Sequence, residues 1–536
     1  MEGSLVQAFW CLAIIGMCSL VVRVCAAMWL KPRRIRSTLL KQGIRGPRPS
    51  SFFYGNIPEM QKIQSMATEK AQSQSISHDW AHYMFPHLLQ WSQQYGPLYM
   101  YSTANKQHLY VGRPELIKEL HHHKSLDLGK PAYLAKATEP MLGDGILKAN
   151  GPYWAHQRKV IAPEFFIHKV KHMLGIMEEC TIPLITKWEK RVAVGGGVAE
   201  VTIDEDLRTL SADIISKACF GSSYSQGKQI FAKLEALRES IFTASFFLGL
   251  PNTRFLPTQS NRQKWRLKKE VRTLILELVK GRQESNQSFE KSDHKDLLQT
   301  ILESAADSEA FQTNRVKDQF IVDNCKNIYF AGSETTSATA SWSLMLLALH
   351  PEWQERVRAE IVEICGDQLH DCSLDLNKLR QLKTLTMVLQ ETLRLYGPAI
   401  MLTREAFAEI RLGDLTVPKG TNMWVLIPAL HRDTENWGPD ANEFKPERFT
   451  GGISEACKYP QAYIPWGIGS RRCLGETFAT LELKVILALV LSKFTFSLSP
   501  EYHHSPAFKM ALVPKYGVRL LMRRVQSRNM GQSEKA

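Results

Sequence analysis

The sequence lacks the paired cysteines that hold a zinc ion or an iron–sulfur cluster. Its 536 residues include ten cysteines, but none belongs to a CxxC or CxxH motif and their spacing is irregular. This argues against both kinds of metal site and against a disulfide framework. Reduced thiols and a cytosol-facing body are favoured instead.

The chain also has no GxGxxG motif in a strand–helix context, no internal repeat and no arginine-rich tail. It therefore has no nucleotide-binding reductase domain of its own. The net charge of +14 is spread along the chain, which disfavours nucleic acid and favours a membrane surface or an acidic protein partner. Its 44% hydrophobic content is enough for one large core or two fused domains.

One long uncharged run lies at the N-terminus, over residues 3–22. About 20 such residues span a bilayer as a helix, and the basic flank at residues 31–36 predicts a cytosolic orientation for the rest of the chain. We expect a membrane anchor over residues 1–30 and a basic, proline-containing hinge over 31–50. A cleaved signal peptide is the alternative, although its basic n-region is missing.

The remaining sequence predicts one mainly α-helical domain over residues 51–525, with a polar tail over 526–536. A hairpin is expected between residues 98 and 111, a small sheet over 412–427, and exposed polar connections over 281–316. Apolar residues at three-and-four spacing predict helices over residues 154–158, 206–220, 271–280, 320–350, 351–364 and 379–396.

Residues 466–475 form a short loop rich in glycine and arginine around Cys473. Gly467, Gly469 and Gly475 allow the backbone to fold closely around the sulfur. A helix predicted over residues 474–494 places its N-terminal amides beside the sulfur, which favours a thiolate. Haem iron fits such a single thiolate best, and a purely structural turn around a buried cysteine is the alternative.

Three other stretches carry polar groups inside helical segments. Gly332, Glu334 and Thr335 interrupt an apolar run, and a carboxylate beside a hydroxyl suits proton relay, with an exposed polar turn as the alternative. Glu391 and Arg394 form an i, i+3 ion pair. Residues 154–158 place an indole and a guanidinium on one helical face, suited to binding one carboxylate.

Together these stretches resemble the cytochrome P-450 family. The loop resembles its F-x-x-G-x-R-x-C-x-G signature, with Trp466 in place of the usual Phe. The other stretches resemble its A/G-G-x-D/E-T-T/S, E-x-x-R and W-x-x-x-R motifs, and Arg448 lies in the expected Pro-Glu-Arg-Phe segment. The resemblance implies a helix-rich triangular prism with a small β part, preceded by one N-terminal transmembrane helix.

The resemblance implies a role for each of these residues. Cys473 would be the axial ligand of haem b, with Glu334 and Thr335 as an acid–alcohol pair and Gly332 leaving room for O2. Two further groups are implied: a structural cluster of Glu391, Arg394 and Arg448, and propionate ligands at Trp154, Arg158, Arg404 and Arg471.

The implied reaction is monooxygenation with O2 and with electrons from NADPH through a cytochrome P-450 reductase. Arg471, Arg472, Lys445 and Lys458 are candidates for docking that partner, and cytochrome b5 is a further candidate. The expected location is the endoplasmic reticulum membrane, with lipid around the anchor. The larger indole of Trp466 is expected to tune the iron's potential. We interpret His121, His122 and His123 as an exposed polar face.

The substrate is less constrained. Residues 53–61 and 512–518 resemble a plant microsomal group that includes gibberellin (diterpenoid acid) oxidases and pentacyclic triterpenoid oxidases. We expect hydroxylation of a terpenoid acid, extending to the aldehyde or acid, and favour a triterpenoid over a gibberellin or ent-kaurane compound. A haem-thiolate isomerase or dehydratase and a non-catalytic haem sensor are alternatives. Candidate pocket residues, for which core packing is equally favoured, are Phe242, Phe246, Phe247, Tyr329, Phe330, Ile400, Met401 and Leu402.

Overall fold

The computed structural model describes residues 2–70, 76–221, 224–241, 256–288, 296–307, 313–366 and 374–525. In the first half of the chain the helices are Glu2–Cys25 (α1), Lys31–Lys41 (α2), Ile57–Lys70 (α3), Ala81–Met84 (α4), Pro86–Tyr95 (α5), Pro114–His122 (α6), Ala132–Ala137 (α7), Glu139–Leu142 (α8), Gly151–Ile161 (α9), Ile167–Val170 (α10), Leu174–Val194 (α11), Asp204–Phe220 (α12) and Tyr224–Ile241 (α13). The later helices are Gln259–Ser288 (α14), Leu297–Asp307 (α15), Asn314–Leu349 (α16), Pro351–Cys365 (α17), Leu376–Gln381 (α18), Lys383–Tyr396 (α19), Ile427–Leu430 (α20), Thr434–Trp437 (α21) and Glu476–Lys493 (α22).

The central element is the 36-residue helix α16. Its start is capped by Thr313, whose side chain accepts a hydrogen bond from the Val316 N–H. Almost every side chain from Phe320 to Ala348 is buried, as expected for a helix enclosed on all sides. It packs against α12, α19 and α22, so residues on its different faces meet different parts of the core.

The β part is small. The strands are Leu98–Thr103 (β1), Lys106–Val111 (β2), Leu128–Gly129 (β3), Val198–Thr202 (β4), Met401–Ala406 (β5), Ile410–Leu412 (β6), Leu415–Val417 (β7), Asn422–Leu426 (β8), Phe494–Leu498 (β9), Pro506–Phe508 (β10), Leu512–Pro514 (β11) and Arg519–Arg524 (β12). The largest sheet has the order β1-β2-β8-β5-β3, a second has the order β4-β12-β9, and β6-β7 and β10-β11 are two-stranded. The predicted mainly α-helical domain, the hairpin and the small later sheet are confirmed.

The segment from 281 to 316 differs from the expectation of exposed connections. Helix α14 continues through Ser288, and α15 lies within the same stretch. Leu297, Leu298 and Ile301 are fully buried because they form one apolar stripe on α15. The polar composition of the surrounding residues concealed this short amphipathic helix.

The predicted hinge is also partly helical. Pro32 lies in the first turn of α2, where a missing N–H costs no helical hydrogen bond. Ile35 and Leu39 are buried and pack with strands of the largest sheet. Residues 31–41 are therefore part of the folded body, and only the following Gly- and Pro-containing residues are extended.

Helix α1 covers most of the predicted anchor. Its apolar side chains are exposed where they are described; Phe9, Trp10, Leu12 and Ile15 each have more than 60% of their surface accessible. Within the described part of the chain, however, no helix combines the length and apolar character needed to cross a membrane. The predicted transmembrane span is therefore not confirmed, and the polar tail over 526–536 lies outside the described residues.

Candidate active site

The loop before α22 is shaped by left-handed glycines. Gly467 and Gly469 have φ of 73° and 63°, a region that residues with a Cβ rarely adopt. The Cys473 N–H donates a hydrogen bond to the Trp466 carbonyl at 2.8 Å, which closes the loop. Gly475 has a φ of −87° and no neighbouring atom would meet an added Cβ, so close approach does not explain this third glycine.

Cys473 faces a cavity of about 270 Å³. Its side chain is accessible from that space, yet protein surrounds it otherwise, and this burial raises the pKa of its thiol to about 11. A hydrogen bond from the Gly475 backbone and the charges of Arg158 and Arg472 act in the opposite direction. The N-terminus of α22 thus lowers the pKa of the thiol as predicted, but burial raises it by more. The sulfur is therefore held as a thiolate by the metal that it coordinates.

The opposite wall of the cavity is formed by Ile328, Ala331 and Thr335 of α16. The Thr335 hydroxyl donates to the Ala331 carbonyl at 2.7 Å, four residues earlier. The helix runs unbroken through this segment, so the polar residues do not open it. They bring Thr335 and its neighbour Thr336 to the cavity that Cys473 also lines.

Glu334 lies in a different environment from its neighbour Thr335. Its carboxylate is buried and forms a hydrogen-bonded ion pair with Arg238 of α13. Arg208 of α12 lies 3.5 Å from its other oxygen, and Arg238 also pairs with Glu235 at 3.0 Å. Glu334 is therefore tied to two neighbouring helices, and the structure does not place it beside Thr335 on the cavity wall.

Gly332 has a packing role. A Cβ built at this position would lie 2.5 Å from Cγ1 of Ile215 on α12. The missing side chain therefore lets α16 approach α12 closely. Its backbone also contributes to the cavity lining, but the space that its Cβ would fill belongs to the helix contact.

Three predicted carboxylate ligands form a stack at one edge of the cavity. The Arg471 guanidinium lies 4.2 Å from the Trp154 ring centroid and that of Arg158 lies 5.8 Å from it. Arg471 donates to the Ala149 carbonyl at 2.9 Å and to the Asn150 side chain at 2.8 Å. Arg158 donates to the backbone carbonyl next to Cys473, at 3.0 Å.

Lys130 also lines this cavity, and the sequence gave no signal for it because it is a single lysine after a two-residue strand. Burial and the nearby Arg404 and Arg471 lower its pKa to about 7. Burial likewise lowers the pKa of Arg404 to about 10 and that of Arg471 to about 9. Among the described residues, no carboxylate forms an ion pair with any of these three cations.

This donor set fits haem. Three cations without a protein counter-charge suit the two propionates of the macrocycle, because buried cations need paired anions. Cys473 offers the single thiolate ligand, and no cluster of three or more His, Cys, Asp or Glu able to hold a metal ion is found in the described regions. Lys130, Arg404, Arg471 and Trp154 would hold the propionates.

Glu391 and two arginines form a buried ion cluster behind the loop. Glu391 receives two hydrogen bonds from Arg394, at 2.6 and 2.8 Å, and lies 3.5 Å from Arg448. Arg394 also donates to the carbonyls of His431 and Ala441, at 2.7 and 2.5 Å. One carboxylate thus links α19 to the irregular segment that precedes the cysteine loop.

His431 extends this link to the loop itself. Its Nε2 accepts a hydrogen bond from the Ile464 N–H at 2.9 Å, which leaves Nδ1 to donate to the Arg394 carbonyl at 3.2 Å. Burial and the neighbouring arginines lower its pKa to about 3, so the ring is neutral. The structure therefore places His431 between the ion cluster and the loop.

Of the predicted pocket residues, the five that the structure describes do not line this cavity. Phe242, Phe246 and Phe247 lie outside the described residues. Tyr329 stacks on Phe220 with ring centroids 4.2 Å apart, in the core. The remaining candidates, Phe330, Ile400, Met401 and Leu402, lie in core clusters or in β5. The cavity is instead lined by aliphatic and aromatic residues including Ile146, Leu147, Phe165, Ile215 and Phe478.

The candidate docking cations divide into two groups. Arg472 and Lys445 are exposed but pair with the local carboxylates of Glu476 and Asp440, at 2.6 and 2.8 Å. Lys458 lies over its neighbour's aromatic ring. Arg471 instead belongs to the cavity edge, so it is not a surface contact.

The predicted exposed face of three histidines is only partly exposed. His121 and His122 are exposed at the end of α6. His123 is partly buried and its Nε2 has no hydrogen-bond partner. It lines a small space shared with Arg404 and Arg471, beside the cation group.

A cysteine and a threonine on opposite walls of one cavity, with unpaired cations at its edge, define a haem-thiolate enzyme. Comparison with known proteins agrees. The family model for cytochrome P450 matches residues 76–522. The chain is 49% identical to rice (Oryza sativa subsp. japonica) cytochrome P450 714C2, over 92% of this chain and 94% of that protein. It is 47% identical to Arabidopsis thaliana cytochrome P450 714A2, over 96% and 98%.

The chain therefore belongs to the cytochrome P450 family. It is a monooxygenase that uses haem with an axial cysteine thiolate, O2 and electrons supplied by a reductase, and its substrate is hydrophobic.

The buried ion cluster around Glu391 leads to a prediction about the stability of the fold. Glu391→Ala leaves Arg394 and Arg448 buried without their carboxylate, which costs about 3–5 kcal/mol in free energy of unfolding. Denaturant unfolding of the holoprotein measures this. Glu447→Ala, which removes an exposed pair with Arg356, should cost less than about 1 kcal/mol. Equal effects of the two variants would contradict the buried-cluster account.

The position of Lys130 leads to a prediction about haem binding. Lys130→Met removes one cation facing the propionates, so it should weaken haem retention and lower the haem reduction potential. Haem transfer to apomyoglobin and a spectroelectrochemical titration measure these two effects. Lys136→Met, on the exposed face of α7, is the matched control; a Lys130 variant that behaves like it would exclude the propionate role.

Proposed function

We propose that this monooxygenase hydroxylates a terpenoid acid, preferentially a pentacyclic triterpenoid acid, with extension to the aldehyde or acid. The observation that carries the proposal is the apolar wall that Ile215, Ile328 and Ala331 form around Thr335, in the cavity that Cys473 also lines. An unactivated carbon of a rigid hydrocarbon skeleton suits such walls, because they exclude water and offer few competing polar contacts.

The haem, when bound, supplies the activation of O2. The residues of this chain position the substrate and manage protons. Thr335 presents its hydroxyl at the cavity wall, so rotation away from the Ala331 carbonyl lets it donate into the cavity. Glu334 can take part only when its ion pair with Arg238 opens, because that pair and Arg208 hold its carboxylate between α12 and α13.

A gibberellin or ent-kaurane acid is the second candidate substrate. Residues 53–61 and 512–518 resemble a plant group with both substrate classes. The aliphatic wall of Ile146, Leu147 and Ile328 suits either fused-ring skeleton.

The alternatives to monooxygenation differ from it in whether activity depends on the Thr335 hydroxyl. An isomerase or dehydratase, or a haem sensor without turnover, does not require its hydroxyl.

We also propose a membrane location, at the endoplasmic reticulum with the catalytic body in the cytosol. The support is the exposed apolar surface of α1, including Phe9, Trp10 and Leu12, followed by the basic residues at the start of α2. Such a helix with a cationic flank favours insertion into an anionic leaflet. NADPH-cytochrome P-450 reductase is the proposed electron donor, and cytochrome b5 is an additional candidate.

Thr335→Ala tests the proton relay. Product formation per NADPH consumed should fall by about 10²-fold or more, with peroxide released in its place, because the cavity loses the Thr335 hydroxyl. Thr335→Ser should retain coupling. Thr339→Ala, one turn further along α16 with its hydroxyl bonded to the Thr335 carbonyl, is the control. Unchanged turnover in Thr335→Ala would contradict the proton relay and support the isomerase or dehydratase alternative, whereas a sensor would form no product even in the natural protein.

A substrate panel tests the proposed class. Microsomes containing this chain and a reductase are supplied with pentacyclic triterpenoid acids, gibberellins and ent-kaurane acids, and products are identified by mass spectrometry. We expect NADPH-dependent addition of one oxygen atom to a triterpenoid acid. Turnover confined to the diterpenoid acids would replace the first candidate with the second.

A further inference from the structure

A fully buried carboxyl group lies behind the cavity wall and has no part in the site described above. Glu482 is on α22, nine residues after Cys473, and has no exposed surface. Neither of its oxygens has a hydrogen-bond partner among the described residues. In that same part of the chain, no lysine or arginine forms an ion pair with it.

Two hydroxyl groups from neighbouring helices face this carboxyl. Ser211 of α12 and Thr336 of α16 both lie close enough to act on it as hydrogen-bonding neighbours, although the full geometry of a hydrogen bond is not reached, and Ser211 Oγ also lacks a partner. Both Glu482 carboxyl oxygens and Ser211 Oγ are thus buried at one place without a hydrogen bond. A small side-chain rotation or one internal water would give them partners.

The position connects the two walls of the active site. Thr336 follows Thr335 and lines the same cavity, as do Phe478 and Ala479 on the turn of α22 before Glu482. A bond between Glu482 and Thr336 therefore braces the helix that begins beside Cys473 against the helix that carries Thr335.

The protonation state decides whether this bond forms. Burial raises the pKa of the Glu482 carboxyl to about 8, and the two hydroxyls only partly oppose this shift. Cys219 of α12 interacts electrostatically with it, and Glu164 and Cys325 lie near that thiol in turn. None of these three groups is a cation, and Lys484 on the same helix donates instead to the Leu379 carbonyl at 2.6 Å. At neutral pH the carboxyl is therefore uncharged and carries a proton to donate.

We propose that Glu482 is a positioning residue that acts as a neutral acid: hydrogen-bonded to Ser211 and Thr336, it holds α22 and α16 at the spacing the haem cavity requires. It does not supply a proton to the reaction. Another uncharged side chain that donates a hydrogen bond, such as glutamine, can therefore replace Glu482.

The first test is the pH dependence of thermal unfolding of the holoprotein. Between the ordinary glutamate pKa of 4.5 and the folded value of about 8, the folded state binds one proton more than the unfolded state, so stability falls as pH rises through this range. Glu482→Gln removes this loss. The unfolding midpoint of Glu482→Gln minus that of the natural protein should increase steadily from pH 5 to pH 8, by about 2 °C or more in total. Above pH 8 this difference should stay constant.

Glu363→Gln, on the exposed face of α17, is the matched control and should show a constant difference over this range. A constant difference for Glu482→Gln as well would mean that the buried carboxyl is ionised in the folded protein, and would overturn the proposal.

The second test reads the cavity itself and requires no substrate, so its failure is distinct from failure of the proposed function. The Soret spectrum of the reduced carbon monoxide complex is followed with pH. The natural protein should lose its thiolate-type band as Glu482 ionises above about pH 8, whereas Glu482→Gln should keep it and Glu482→Leu should show the loss already at neutral pH.

Thr336→Val distinguishes positioning from a general packing defect. If Glu482 acts through Thr336, the double variant Glu482→Leu/Thr336→Val should lose no more of the band than the larger single effect. Additive losses, or a Glu482→Gln variant as defective as Glu482→Leu, would overturn the proposal.

Discussion

The structure of the site depends on one buried carboxylate, Glu391. It neutralises Arg394 and Arg448, and the arginines bind the carbonyls of the segment between α20 and the cysteine loop. Because His431 connects the same cluster to the residue two positions before Trp466, the loop is attached to a fully buried ion cluster. The position of the sulfur is thus set by charge pairing in α19, about 80 residues earlier in the chain.

Charge is distributed unevenly around the cavity. Behind the loop, Glu391 and Asp440 balance the arginines, and on the far side Glu334 is balanced by Arg238 and Arg208. At the cavity edge, burial lowers the pKa values of Lys130, Arg404 and Arg471, and for Lys130 and Arg471 the neighbouring cations lower them further. The protein therefore balances charge in its framework and leaves an excess of positive charge where the cofactor carboxylates belong.

Much of this arrangement could be predicted from local sequence, and the exceptions have physical reasons. The glycines around Cys473, the helical periods and the i, i+3 pair at Glu391 are local patterns, and the structure contains them. The partner of Glu334 is Arg238, 96 residues away, and no spacing rule connects them. Lys130 reaches the cavity only through the pairing of β3 with β5, and α15 was obscured by polar neighbours. Long-range contacts between elements, rather than element type, account for what the sequence could not show.

The cation group at the cavity edge has a consequence for how the chain matures in the cell. Before the prosthetic group arrives, the newly made polypeptide must keep three like charges close together in a buried place or leave that region open to water. Prosthetic-group insertion is then the last step of folding here, since it supplies the missing negative charge. Supply of the macrocycle would then influence how much of the chain escapes proteolysis.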